Sequence, residues 1–85
     1  MANYAKTAQI SISDISANSG KAGSIDVPSV TGMTPYCVVP IGTNHSDTVI
    51  TECRLITNNT KISISIFNLY SSTQNATGTV VVLYK

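Results

Sequence analysis

The chain has 85 residues, five basic and four acidic, with a formal net charge of +1. That length holds a single domain, residues 1–85, and a domain so small buries only about 60% of the surface its unfolded chain exposes, so disulfides, a metal or a neighbouring subunit is expected to complete it. Lys6, Lys21, Arg54, Lys61 and Lys85 are scattered rather than striped, which argues against nucleic acid as a partner, and no apolar run is long enough to enter and cross a bilayer.

The opening residues, Met-Ala-Asn-Tyr-Ala-Lys, contain no apolar core segment of a secretory signal, so synthesis in a cytoplasm is expected. The first strand is predicted from Lys6 to Ile15, with Ala8, Ile10 and Ile12 on one face and a bulge near Asp14 and Ile15. Ala17 to Lys21 reads as a turn in which Gly20 supplies a positive φ. A second strand follows from Ala22 to Val27, with Ile25 and Val27 inward, and Pro28 stops it. After a loop from Ser29 to Pro35, the run Tyr36 to Ile41 is nearly all apolar and reads as a strand buried on both faces, interrupted at Pro40. Gly42 to Asp47 is the most polar loop. The fourth strand is predicted from Thr48 to Thr57, with Val49, Thr51, Cys53 and Leu55 on one face and Ile50, Glu52, Arg54 and Ile56 on the other.

Asn58 and Asn59 then make a tight turn, because asparagine tolerates left-handed backbone angles. Lys61 to Phe67 reads KISISIF, a strict period of two that would scatter its isoleucines around a helix. Gly78 to Lys85, GTVVVLYK, is the sixth strand, and the last two strands read as an antiparallel hairpin. No window has helical spacing with a cap. The expected fold is therefore all-β, one antiparallel sandwich of about six strands, jelly-roll or lectin-like.

Cys37 and Cys53 fall within predicted strands. They read as buried reduced thiols, or as a pair if their strands are neighbours. Neither makes a zinc site, since His45 is the only histidine. Asp14, Asp26, Asp47 and Glu52 are the only carboxylates and have no spacing that would place two across a sugar for hydrolysis. Glu52 and Arg54, on one strand face, are expected to pair with each other or across an interface. No catalytic residue, cofactor or metal is expected.

A family resemblance narrows the function. Thr31-Gly32-Met33-Thr34-Pro35 leads into the short apolar strand Tyr36-Cys37-Val38-Val39. Asn58-Asn59-Thr60 turns into an alternating strand that ends on Asn68, followed by Ser71-Ser72-Thr73. The chain closes on Val80-Val81-Val82-Leu83-Tyr84-Lys85. Over nearly its whole length this order resembles the small C-terminal β-sandwich domains of bacteriophage tail, fibre and baseplate proteins. The resemblance implies a virion structural domain, commonly homotrimeric, that often binds a host surface glycan. That family hangs the domain from a longer shaft, whereas this sequence starts at Met1, which favours a decoration protein on a capsid or tail.

Asn44, His45 and Asp47, in one loop, offer donors and acceptors to sugar hydroxyls, and Tyr70 offers a ring; the plainer reading of each is a solvated turn or an interface filler. A triad of Ser46, His45 and Asp47 is excluded, because neighbours in one loop do not converge as nucleophile, base and orienter. Tyr36 and Tyr84 are expected as core or interface rings. Asn44, Asn58 and Asn75 each begin a glycosylation-type triplet, a chance match in so Asn- and Thr-rich a chain. Ile50, Ile56 and Phe67 lie opposite their strands' main apolar rows and are the expected subunit interface. The sequence thus points to a non-enzymatic phage virion protein that binds copies of itself, a capsid or tail protein and host glycan; the alternative is a free-standing lectin-like module.

Overall fold

The computed structural model describes residues 3–85. It has six strands: β1 (Tyr4–Ile15), β2 (Ser19–Asp26), β3 (Pro35–Thr43), β4 (Thr48–Ile56), β5 (Lys61–Asn68) and β6 (Gln74–Tyr84). They form two three-stranded antiparallel sheets, ordered β1-β6-β3 and β2-β5-β4, and the described residues contain no helix. The strands nest, β1 beside β6, β2 beside β5, and β3 facing β4 across one open side. This is the winding of a jelly roll in six strands. The body is flat and long, 47 × 22 × 15 Å.

The alternation of β5 fixes the core. Ile62, Ile64 and Ile66 are fully buried, each stabilising the fold by about 1.5–3 kcal/mol relative to exposure. Opposite them stand Val80, Val82 and Tyr84 of β6, with Ile10, Ile12 and Ile15 of β1 beside. The expected β5–β6 hairpin does not form. The two strands are the centres of opposite sheets, so their apolar rows face each other instead of lying side by side on one uncovered face. The one hairpin between consecutive strands joins β4 to β5, through Thr57, Asn58 and Asn59, all at positive φ. Both interior centres are tightly apposed. A methyl group on Gly78 would lie 2.6 Å from Ile64 Cδ1, and one on Gly23 would lie 2.9 Å from Ile12 Cγ1.

Two slips in register redirect side chains. In β1 the bulge falls between Ile12 and Ile15, as expected; Asp14 has φ 58°, and its N–H donates to Asn75 Oδ1 at 2.9 Å. Ile15 thereby returns to the core. In β4 the slip lies between Ile50 and Glu52. Ile50 and Cys53 face inward together, while Val49, Glu52, Arg54 and Ile56 face out. Ile50 was expected on the outer face; the extra residue, Thr51, turns it onto Ile66 and the core.

Other expectations also change. The left-handed residue of the first turn is Asn18, φ 52°, not Gly20, which already pairs within β2. β3 is an edge strand rather than a doubly buried one. Its Val39 and Ile41 are 45% and 61% exposed and Tyr36 is exposed too. Pro40, which has no N–H to give, sits where the ladder slips, at an edge that demands no further pairing. The opposite open side, between β1 and β2, is crossed by Lys21, whose Nζ donates to Ser13 O at 2.7 Å and places a charge where another strand would add.

Candidate functional site: the loop end of the sandwich

Strand direction places three connections at one end: residues 16–18, 44–47 and 69–73. The other end carries the β2–β3 loop, the β4–β5 turn, Tyr4 and Lys85. At the loop end the polar terminus of β5 does the joining. Asn68 is fully buried; its Nδ2 donates to Ile15 O and Ser72 O, both at 2.9 Å, and its Oδ1 accepts from Tyr70 N–H at 2.9 Å. With a longer bond from Nδ2 to Ser16 O at 3.4 Å, this single side chain holds residues 69–73 to the end of β1 and the start of the 16–18 loop. The third loop is attached through Leu69 N–H, which donates to Asp47 O at 2.8 Å.

Inside residues 44–47 the backbone is fixed by hydroxyls. Thr43 and Thr48 Oγ1 atoms lie 2.7 Å apart, and Thr48 Oγ1 donates to His45 O at 2.8 Å. Asn44 continues the ladder beyond β3: its N–H donates to Thr77 O at 3.1 Å, and its Oδ1 accepts from Thr77 N–H at 2.8 Å. His45 Nδ1 accepts from Asp47 N–H at 3.2 Å, which leaves Nε2 as the donor of the neutral ring. The His45 and Tyr70 rings meet edge to face, 6.0 Å between centroids, with Tyr70 42% exposed.

The structure therefore brings His45, Asp47 and Tyr70 to one end, with Asn44 beside them but its acceptor oxygen engaged by β6. The end presents a ring, an imidazole N–H, a carboxylate and the hydroxyls of Ser71, Ser72 and Thr73. This set suits hydrogen bonding to an uncharged polar ligand. Next to it, on the outer face of the β1-β6-β3 sheet, Gln9, Ile41, Thr43, Thr77 and Thr79 line a cleft of about 520 Å³ that the sequence did not suggest. Only the register shows that these residues from three strands share a surface.

Of the expected interface residues, Ile56 and Phe67 face outward and half-buried on the β2-β5-β4 sheet; Ile50 does not. That face also carries Glu52–Arg54 at 3.5 Å and Asp26–Lys61 at 2.7 Å. The Lys61 hydrogen bond, with its charge, holds the Asp26 carboxyl below its ordinary range. The cysteines are free and only half-buried. Burial, with Cys37 nearby, pushes the Cys53 thiol up, which keeps it protonated and unreactive at neutral pH.

At the far end, Tyr84 is buried as expected, and its hydroxyl donates to Pro28 O at 2.6 Å. A cleft of about 470 Å³ lies there among Asp26, Val30, Met33, Asn59 and Tyr84.

No protein-family model, curated protein or solved structure matches this chain.

Proposed function

We propose that the chain is a non-enzymatic structural module of a bacteriophage particle, fixed by one end and presenting the other. The observation that carries this reading is the division between the ends. At one end Asn68 ties the close of β1 to residues 69–73 and Leu69 N–H joins residues 44–47 to them, and Tyr4 and Lys85 lie some tens of ångströms away at the other in a 47 Å body. Attachment through the Tyr4–Lys85 end leaves the His45–Tyr70 end free to meet a host surface. The scarcity of charge, 11% of residues, suits a protein packed among other subunits. The order of strand and turn residues, which resembles that of phage tail and fibre domains, is what points to a phage particle.

Quantitative mass spectrometry of purified particles tests the proposal. The expected result is this chain at a fixed ratio to the major capsid or tail protein; recovery only from the soluble lysate contradicts it. One observation favours a second reading, a free-standing glycan-binding module: the exposed Tyr70 ring set against His45. Binding of the isolated protein to arrayed glycans, together with its absence from particles, selects that reading.

A further inference from the structure

The loop at residues 44–47 is held in two ways, and only one of them responds to protons. Its backbone is pinned at the His45 carbonyl, which accepts from Thr48 N–H at 3.1 Å and from Thr48 Oγ1 at 2.8 Å. Neither donor titrates near neutral pH. The second hold is the half-buried His45 ring, whose Nδ1 accepts from Asp47 N–H at 3.2 Å. The same ring meets the exposed Tyr70 ring of residues 69–73, 6.0 Å between centroids. One imidazole thus joins a backbone N–H of its own loop to an aromatic ring of the next.

We propose that His45 is a proton-operated latch on Tyr70. A neutral imidazole accepts at Nδ1, but an imidazolium carries a proton on both nitrogens and accepts at neither. Protonation therefore sets two N–H groups against each other, one on the ring and one on Asp47. The ring is the part that turns. Asp47 is held through its own carbonyl, which accepts from Leu69 N–H at 2.8 Å, whereas the ring rotates about its side-chain bonds while the His45 carbonyl stays on Thr48. The turned ring leaves both Asp47 N–H and Tyr70. The other titratable groups at this end are Asp47 in the same loop, Tyr70 across from it and, on the β1 side, Asp14 and Lys21, whose Nζ is bound to Ser13 O. The Asp47 carboxylate is the natural partner of the turned ring, since it accepts a charge-assisted bond from Nδ1–H. Asn68 and Leu69 keep residues 69–73 in place throughout, so what changes is the surface presented: a ring pair when His45 is neutral, a lone Tyr70 ring when it is charged. This inference is independent of the particle reading, because it concerns the chain whatever that end meets.

Two-dimensional NMR of the labelled protein from about pH 8 to about pH 5, the range in which histidine ordinarily changes charge, tests the latch. The Asp47 amide proton is expected to move towards the position of an unbonded amide, with the same midpoint as the His45 ring protons. The nuclear Overhauser contact between the His45 and Tyr70 rings is expected above that midpoint and lost below it. The Leu69 amide should hold its position.

Two variants assign the cause, and both lie in an outer loop that leaves the core rows untouched. His45→Asn offers a side-chain oxygen to the N–H two residues on, as Nδ1 does, but does not titrate. Its residue-47 amide should stay at the bonded position across the whole range. Asp47→Asn removes the loop's own carboxylate and should keep the wild-type transition, because the ring drives it. An Asp47 amide that does not move, a ring contact that survives below the midpoint, a transition that persists in His45→Asn, or one that disappears in Asp47→Asn overturns the inference.

Discussion

Each end of the sandwich is closed by a polar side chain on the last turn of a central strand, yet the two closures differ in kind. Asn68, at the end of β5, gives two hydrogen bonds to carbonyls of separate segments and accepts one. Tyr84, at the end of β6, gives one, to Pro28 O, and otherwise fills space beside Tyr4. The loop end therefore depends on the chemistry of one amide, and the other end on the volume of one ring. A recognition surface built on loops gains from the first arrangement, because fixing the loops in advance removes ordering cost from any later contact.

Substituting the two closers breaks the comparison most sharply. Asn68→Leu keeps the volume but leaves the buried Ile15 O without its partner and frees Ser72 O and Tyr70 N–H, so the 69–73 loop loses its tie to β1. It is expected to lose about 3–5 kcal/mol in urea denaturation, a large share of the stability of so small a domain. A loss below about 1 kcal/mol, within the net worth of one ordinary hydrogen bond, shows that the loops do not depend on it.

The tightness between the ends comes next. Gly78→Ala drives a methyl group into Ile64 Cδ1 and is expected to cost about 1–3 kcal/mol. Adding Ile64→Val removes that carbon, so the double variant should be less destabilised than the two single changes combined; strict additivity denies the contact.

Tyr84→Phe is expected to cost only about 1 kcal/mol, since the ring remains. It carries a second readout. Burial, with Tyr4 nearby, raises the Tyr84 phenol above its ordinary value. The unfolded chain then ionises first, so this contribution to stability is whole below about pH 10 and is lost as pH rises through the folded value. The wild type should lose more stability on the alkaline side than Tyr84→Phe does, measured as denaturation midpoints across that range.

The smallest effect is Asp26→Asn. The lowered Asp26 carboxyl stabilises the fold above its unfolded value, and that contribution disappears as pH falls through the folded one. Because the pair is exposed, the difference between wild type and variant should be slight and should vanish at about 1 M salt.

Much of this architecture is legible in the residues. The KISISIF alternation, the Asn58-Asn59 turn and the bulge near Asp14 each have a local cause and stand where the sequence placed them. The errors are long-range. β5 and β6 are neighbours in sequence, and nothing local says that the loop at 69–73 crosses between sheets instead of folding back within one. Tyr36 to Ile41 looks doubly buried because an uncharged apolar run reads the same in a core and on an exposed edge strand. Ile50 was turned by a single extra residue in β4, which alternation alone does not reveal. At the loop end, the polar residues of 44–47 and Tyr70 were visible as candidates. Asn68, which ties the Tyr70 loop to the end of β1, was visible only as the end of a strand, because its role depends on partners 53 positions back in the chain, at Ile15, as well as nearby.

Chemical labelling of intact particles, read by mass spectrometry against the free protein, tests the central claim most directly. With the chain fixed by its Tyr4–Lys85 end, His45 should react with diethyl pyrocarbonate as fast on particles as in solution, while Lys6 and Lys85 should be protected from an amine-reactive ester. Protection of His45 with free reaction at Lys6 and Lys85 would contradict the orientation, and absence of the chain from the particles would contradict the function.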